Sequence, residues 1–231
     1  GIAVNGIPIK RAVELFGILN IVCFSPEDLS IIKNGPAERR RFMDMELSQL
    51  DKIYLSNLIN YNKVVNQRNK LLKELSFKSS EEKLETLDIW DLQLVKYGTE
   101  VMKRRVGFVQ ELNEIIGGLH EKLSGGTEKL TIEYQPCVEE TTFLDTVTKM
   151  RERDLRMKST CFGPHKDDLI FFINGSEVKK YGSQGQQRTA ALSLKLAEIE
   201  LVKKVVKDTP VLLLDDVLSE LDSNRQQFLL N

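Results

Sequence analysis

Pro210-Val-Leu-Leu-Leu-Asp215-Asp216 is a short apolar run that ends on two adjacent acidic residues. Such a run predicts a buried strand of a parallel sheet, and open α/β sheets bind ligands at the carboxyl edge of their strands. A carboxylate there can hold Mg²⁺ through water beside a triphosphate, and a second one can orient the attacking water. We therefore interpret Asp215 as a metal-site residue and Asp216 as a catalytic residue. A strand followed by an acidic helix cap is the alternative.

A polar loop with two glycines, Tyr181-Gly-Ser-Gln-Gly-Gln-Gln-Arg188, precedes this strand. It opens a helix that we predict from about Gln187 to Val206, so the free N–H groups of the first turn and the Ser183 hydroxyl can form a cradle for an anion. We call residues 183–188 the signature loop. Its candidate nucleotide-binding residues are Ser183, Gln184, Gly185 and Gln186. Taken alone, such a loop is more often an ordinary helix cap than a phosphate site.

A third element, Ser219-Glu-Leu-Asp222, follows the two acids directly. A polar loop, a helix, an acidic strand and a second acidic turn in this order are difficult to produce by chance. Their order favours a nucleotide site over three unrelated caps.

Two long helical stretches lie upstream. Apolar residues recur at three- and four-residue spacing over residues 38–75, and again after a capped start at Ser79-Ser-Glu-Glu82. The two stretches predict an antiparallel helical hairpin over about residues 38–122. Gly98 and Arg105 interrupt the apolar seam, so we expect bundle-like packing rather than a uniform coiled coil.

Short strands and turns flank this hairpin, and the fold class that follows is α/β with a large helical insertion. We predict that residues 1–35 and 165–231 form part of an α/β head, and that residues 36–164 form a mostly helical second lobe. The other predicted elements are turns at Val4-Asn-Gly-Ile-Pro8 and Asn174-Gly175, strands at Ile18–Phe24, Leu130–Tyr134 and Leu169–Ile173, and a charged helix at Phe143–Met157.

Composition narrows the class of protein without identifying a partner. The 231 residues are 41% hydrophobic and 29% charged with a net charge of -1, which is typical of a soluble globular chain and does not decide on nucleic-acid binding. Cys23, Cys137 and Cys161 are widely spaced and predict reduced thiols in a cytoplasmic protein. We expect no membrane contact, because no apolar run reaches the ~18 residues that a span needs.

Several segments together resemble one family. The signature loop, the acidic strand and the turn at Asp222 resemble ABC-type ATPases of the SMC class, and more closely the RecF family of bacterial DNA replication and repair proteins. The resemblance covers nearly the whole chain. It extends to Phe24-Ser-Pro-Glu-Asp-Leu29, Gly35-Pro-Ala-Glu-Arg-Arg-Arg-Phe42, Tyr61-Asn62 and Gly163-Pro-His-Lys-Asp-Asp-Leu169.

This resemblance implies an ATP-dependent DNA-binding protein whose two heads close on ATP, and which helps to load recombinase at single-strand gaps with RecR and RecO. Double-stranded DNA and single-strand/double-strand junctions are the expected DNA partners, and a homodimer is the expected assembly. The signature loop would contact nucleotide held by the other subunit. Asp215 would hold Mg²⁺, Asp216 would orient the attacking water, and Asp222 would lie at the dimer seam.

One departure from the family pattern is large. No G-x-x-x-x-G-K-[ST] segment occurs in the 231 residues, so the loop that cradles the β and γ phosphates is missing. The chain also begins without an initiator Met, and we expect it to be a piece of a longer protein. A complete protein is expected to be a weak, DNA-stimulated ATPase, and this chain alone is expected to be inactive.

Some motifs favour a structural role. Leu123-Ser-Gly-Gly126 spells a common ABC signature but lies far upstream of the acidic strand, so we interpret it as a helix end. Arg39, Arg40 and Arg41 are candidate DNA contacts, against the alternative of a solvated or ion-paired face. His165 and Trp90 are interpreted as structural residues.

Two rival functions remain open. One is a non-catalytic module whose helical lobe recruits protein partners. The other is a relative coupled to a nuclease, although no metal constellation for DNA cleavage is visible.

Overall fold

The computed structural model describes residues 2–10, 15, 18–77 and 80–215. The second predicted acid, Asp216, lies outside the described residues, as do the turn at Ser219–Asp222 and its candidate Asp222. The strands are β1 (Ile2–Val4), β2 (Ile7–Ile9), β3 (Ile21–Phe24), β4 (Leu130–Gln135), β5 (Asp168–Ile173), β6 (Ser176–Glu177) and β7 (Val211–Leu214). The α-helices are α1 (Leu29–Lys33), α2 (Pro36–Leu50), α3 (Lys52–Leu75), α4 (Glu81–Leu123), α5 (Phe143–Lys149), α6 (Arg151–Met157), α7 (Val178–Tyr181) and α8 (Gln184–Val206).

The strands of the described part of the chain form three small sheets. β1 and β2 pair antiparallel around Asn5 and Gly6, whose φ angles of 50° and 81° suit a tight hairpin turn. β3 and β7 pair in parallel, with Phe24 opposite Leu214. The third sheet has the order β4-β5-β6, and Asn174 and Gly175 form its predicted turn with φ angles of 50° and 79°. The predicted turns are therefore confirmed.

The chain divides into two compact units, which differ from the two lobes predicted from the sequence. The first unit comprises residues 1–52, 109–133 and 170–231, and the second comprises residues 53–108 and 134–169. The sequence predicts a head formed by residues 1–35 and 165–231 and a second lobe formed by residues 36–164, and this division remains a prediction.

The first unit is built on the β3–β7 pair and on α8. Its core consists of Val22, Phe24, Leu192, Leu196 and Val202, onto which Leu50, Leu119, Leu123, Ile199 and Leu212 pack. Burial of these side chains holds α8 against the strand pair.

The second unit is helical. Leu71, Leu72, Leu75 and Leu87 form its apolar cluster, with Leu84, Trp90 and Leu155 against it, so Trp90 has the predicted packing role. Gly98 is needed because a Cβ there would lie 2.7 Å from a Phe143 ring carbon and 3.0 Å from a Tyr61 ring carbon. The interruption at Gly98 is therefore the place where two aromatic rings approach α4.

Buried ion pairs also hold the second unit together. Arg68 is fully buried, and its guanidinium contacts Asp91 and Asp154 at 2.6 Å each. Arg105, the other predicted interruption, is 1% exposed and donates to the Pro164 carbonyl oxygen at 2.7 Å.

Two predicted helices are each divided in the structure. The stretch from residue 38 to 75 is split at Asp51, which is extended with φ -141° and ψ 105° and ends α2. The stretch from residue 143 to 157 is split at Met150 into α5 and α6. Apolar spacing continues across both breaks, so periodicity alone could not show them. No helix in the described ranges is long and apolar enough to cross a membrane.

Candidate functional site

The signature loop begins at a turn that only glycine fits. α7 ends at Tyr181, and the Gly182 N–H donates to the Val178 carbonyl oxygen at 2.9 Å. A Cβ on Gly182 would lie 2.5 Å from that same oxygen and 3.0 Å from Val178 Cγ1. The Gln187 side-chain amide adds donors to the Val178 and Gly182 carbonyl oxygens. The chain therefore passes from α7 into α8 through one tightly fixed turn.

Ser183 caps α8 in a reciprocal arrangement. The Gln186 N–H donates to Ser183 Oγ at 3.2 Å, and the Ser183 N–H donates to Gln186 Oε1 at 2.8 Å. This is a capping box with glutamine at the third helical position. Ser183, Gln184 and Gly185 are exposed. The helix begins at Gln184, three residues before the predicted start, so the whole loop belongs to the helix N-terminus.

A relay of polar contacts holds Gln186 from its other end. Its Nε2 donates to Glu128 Oε1 at 2.8 Å, and Glu128 Oε2 lies 3.2 Å from His120 Nε2. On the far side of the ring, His120 Nδ1 lies 2.9 Å from Ser193 Oγ, and that hydroxyl donates to the Thr189 carbonyl oxygen. The relay connects the signature loop to the end of α4 and back to α8.

Sequence reasoning missed Glu128 and His120 as supports of the site. Leu123-Ser-Gly-Gly126 lies between them, and it ends α4 as predicted, with φ angles of 69° at Gly125 and 82° at Gly126. This helix end is what turns the chain so that Glu128 faces both His120 and Gln186. Spacing gives no signal for such a contact, because Glu128 and Gln186 are far apart in the chain.

Asp215 lies at the carboxyl edge of the β3–β7 pair. Its N–H donates to the Phe24 carbonyl oxygen at 2.9 Å, which extends the parallel ladder by one bond, and its side chain is exposed. This is the position that the sequence predicts for a strand-end carboxylate. Within the described ranges, no hydrogen bond joins Asp215 to the signature loop, and no group of three or more His, Cys, Asp or Glu side chains could hold a metal ion.

The three arginines of α2 have different surroundings. Arg39 is 3% exposed, and its guanidinium donates to the carbonyl oxygens of Asn34 at 2.7 Å and Ile31 at 3.4 Å. Arg39 therefore stabilises the carboxyl end of α1, and its buried position does not suit the predicted DNA contact. Arg40 is partly exposed and Arg41 is exposed.

A buried charged cluster lies along α8, beyond the signature loop. Lys195 Nζ contacts Glu198 Oε2 at 2.6 Å, and both residues are buried together with Glu46 of α2. Burial and the negative charge of Glu198 raise the pKa of Glu46 well above its usual range. Because Lys195 pairs with Glu198, we assign the retained proton to Glu46.

His165 is held in a structural arrangement, as predicted. The Tyr61 hydroxyl lies 2.6 Å from His165 Nδ1, and His165 Nε2 lies 3.0 Å from the Thr160 carbonyl oxygen. The carbonyl can only accept, so Nε2 carries a hydrogen, and in a neutral ring Nδ1 then accepts from Tyr61. With both ring nitrogens engaged, His165 shows no free acid or base.

An α/β head portion with a helix-capping signature loop, a strand-end carboxylate and a mostly helical insertion defines part of an ABC-type ATPase head. No protein-family model matches the chain. Over its 231 residues the chain is 69% identical to the DNA replication and repair protein RecF of Lachnospira eligens, and 61% identical to RecF of Agathobacter rectalis. It spans 64% and 63% of the length of these two relatives.

Solved structures give the same relationship. A structure of the recombination mediator protein RecF with ATP, from the RecFOR pathway, matches 98% of this chain and 62% of that chain with a TM-score of 0.90 and 39% identity. A second RecF structure matches with a TM-score of 0.89 and 40% identity. The chain belongs to the RecF family.

Proposed function

We propose that this chain is the signature-loop part of an ATP-dependent DNA-binding protein that acts in replication-gap repair. The observation that supports this most directly is the geometry of the signature loop: an exposed helix N-terminus, capped by Ser183 and fixed from behind by Glu128. The matched solved structures are of RecF in the RecFOR pathway, one of them with ATP. We propose a cytoplasmic location on the same grounds of family.

Two features of the described residues support a site for a triphosphate and Mg²⁺. Apart from the Gln186 N–H, which donates to Ser183 Oγ, the first-turn N–H groups of α8 lack intrahelical acceptors, and such a terminus favours negative charge. Residues 183–186 would contact the nucleotide across a head-to-head dimer. Asp215, exposed at the strand edge, would hold Mg²⁺ through water, and bound Mg²⁺ would neutralise phosphate charge. Asp216 would orient the water and Asp222 would lie at the dimer seam.

The nucleotide in this proposal is shared between two surfaces. No residue of the chain supplies a G-x-x-x-x-G-K-[ST] loop, so a cradle for the β and γ phosphates must be provided by other residues. We therefore propose that the 231 residues alone bind ATP weakly and do not hydrolyse it.

In the complete protein we propose ATP-gated clamping of double-stranded DNA and of single-strand/double-strand junctions, with slow hydrolysis releasing the clamp. RecR and RecO are the proposed protein partners in recombinase loading. Of the three arginines of α2, Arg40 and Arg41 are retained as candidate DNA contacts, because Arg39 is engaged by the carbonyl oxygens at the end of α1.

The test uses the complete protein, made as the Lachnospira eligens relative with these 231 residues in place of its own. Asp216→Asn is expected to abolish ATP hydrolysis while ATP-dependent dimerisation, measured by light scattering, is retained. Ser183→Ala is expected to weaken that dimerisation, whereas Ser80→Ala, at the cap of α4, leaves it unchanged. If the unaltered protein neither hydrolyses ATP nor dimerises with it, a module that only recruits protein partners is the better description.

A further inference from the structure

The outward face of α3 bears three lysines that form no ion pair with any residue that the structure describes. Positions 56, 59, 63, 66, 70 and 73 recur at three- and four-residue spacing, so they share one side of the helix. All six are exposed, and they are Ser56, Ile59, Lys63, Asn66, Lys70 and Lys73. We call these six residues the α3 stripe.

Pairing distinguishes these lysines from several others in the protein. Lys103 contacts Glu140 at 3.1 Å and Lys203 contacts Glu200 at 3.0 Å, whereas other exposed lysines, such as Lys33 and Lys129, form no ion pair among the described residues. Among the described residues, no ion pair is formed by Lys63, Lys70 or Lys73. The stripe itself contains no acid, and the acid that follows it, Glu74, pairs with Lys83 at 3.2 Å.

The inward face of the same helix carries a buried arginine with two acidic partners. Arg68 points into the unit, and it pairs with Asp91 of α4 and Asp154 of α6. Both of these aspartates are buried, at 2% and 1% exposure. These two acids are thus used inside the unit, while the positive charges of the stripe face solvent.

A fourth cation and an exposed ring lie beyond the end of α3. Phe77 is 84% exposed, and Lys158 Nζ lies 4.7 Å from the centre of its ring. This contact holds the Lys158 charge near the carboxyl end of the helix. Lys63 and Lys73 are about 15 Å apart at 1.5 Å per residue, so the positive charge extends over several phosphate positions of a duplex strand.

We propose that the α3 stripe is a surface on which the protein contacts the phosphate backbone of duplex DNA. Lysines aligned on one helix face, with an amide and a hydroxyl side chain between them, are suited to phosphate and sugar contacts that position a protein without reading sequence. The inference rests on the proposed DNA-binding function and adds the surface that performs it. It also places this contact on a different helix from Arg40 and Arg41.

The test compares two triple variants of the complete protein described above. One replaces the stripe lysines, Lys63→Gln, Lys70→Gln and Lys73→Gln. The matched control replaces three exposed lysines that have acidic partners, Lys103→Gln, Lys149→Gln and Lys203→Gln, and so removes the same net charge. Binding to a fluorescent duplex is measured with ATP by anisotropy over a range of salt concentrations, and circular dichroism checks the fold.

The stripe variant is expected to bind more weakly, with the slope of log K against log salt reduced by roughly two to three, since each lost phosphate contact lowers it by about 0.9. The control keeps the unaltered slope. Equal losses in both variants would show that only net charge matters and would overturn the inference. If the stripe variant binds DNA as the unaltered protein does, the inference is overturned, but the proposed DNA-binding function is not. If the unaltered protein does not bind duplex DNA, the proposed function itself fails.

Discussion

Gly182→Ala should destabilise the protein and disturb the signature loop, although the backbone conformation at this position suits any residue. Its φ of -72° and ψ of 138° carry no strain, so the effect is purely steric. The added Cβ would lie 2.5 Å from the Val178 carbonyl oxygen and 3.2 Å from its carbonyl carbon. These are backbone atoms, which cannot rotate away, so the α7–α8 turn must open. We expect a loss of about 1–3 kcal/mol, the usual cost of overpacking.

The same substitution elsewhere in the chain supplies the control. Gly118 lies within α4, is exposed, and a Cβ there would meet no atom within 4 Å. Gly118→Ala should therefore stabilise the protein by about 0.5–1 kcal/mol, because alanine is favoured over glycine inside a helix. Urea unfolding followed by circular dichroism measures both changes. A Gly182→Ala variant as stable as the unaltered protein, or a shift of both variants in the same direction, would contradict this steric explanation.

Three further predictions concern buried charges and the support of the loop. Glu46→Gln should raise the melting temperature at neutral pH and have less effect near pH 4. Because the pKa of Glu46 is raised in the folded protein, folding takes up a proton, and stability falls as the pH rises above about 4.3, the usual pKa of glutamate in an unfolded chain. Melting temperatures measured over a range of pH test this prediction. Arg68→Met should cost about 3–5 kcal/mol in urea unfolding, whereas Lys149→Ala, at an exposed pair, should change stability by less than about 0.5 kcal/mol. Glu128→Ala should weaken ATP-dependent dimerisation of the complete protein while its far-UV spectrum is unchanged, because Gln186 loses its carboxylate partner; dimerisation equal to that of the unaltered protein would contradict this role.

Local signals in the sequence predicted much of the fold. Asn5-Gly6 and Asn174-Gly175 need positive φ, and both adopt it in hairpin turns. The start of α4 follows its predicted cap, since the Ser80 hydroxyl accepts from the Lys83 N–H at 3.4 Å. Such features depend on residues within four positions of one another, which is the range over which a single sequence is informative.

Features that depend on distant residues could not be predicted. Arginine is usually exposed, so nothing in the run at residues 39–41 indicated that Arg39 is buried against the end of α1. Asp51 interrupts an apolar pattern that continues on both sides, and the break is visible only in the extended conformation at that residue. The candidate nucleotide loop was identified from its own residues, but Glu128, which holds Gln186, was not.

The signature loop is held from both sides by contacts within a single chain. Gly182 fixes its entry, the Ser183–Gln186 capping box fixes its first turn, and Glu128 fixes the Gln186 side chain. A surface that is already ordered loses little conformational entropy on association, so more of its contact energy remains as affinity. If two heads close on a shared nucleotide as proposed, changes at Glu128 or Gly182 should therefore act on the affinity of closure. Changes at Asp216 should act on the hydrolytic step itself, and comparing dimerisation with turnover separates the two.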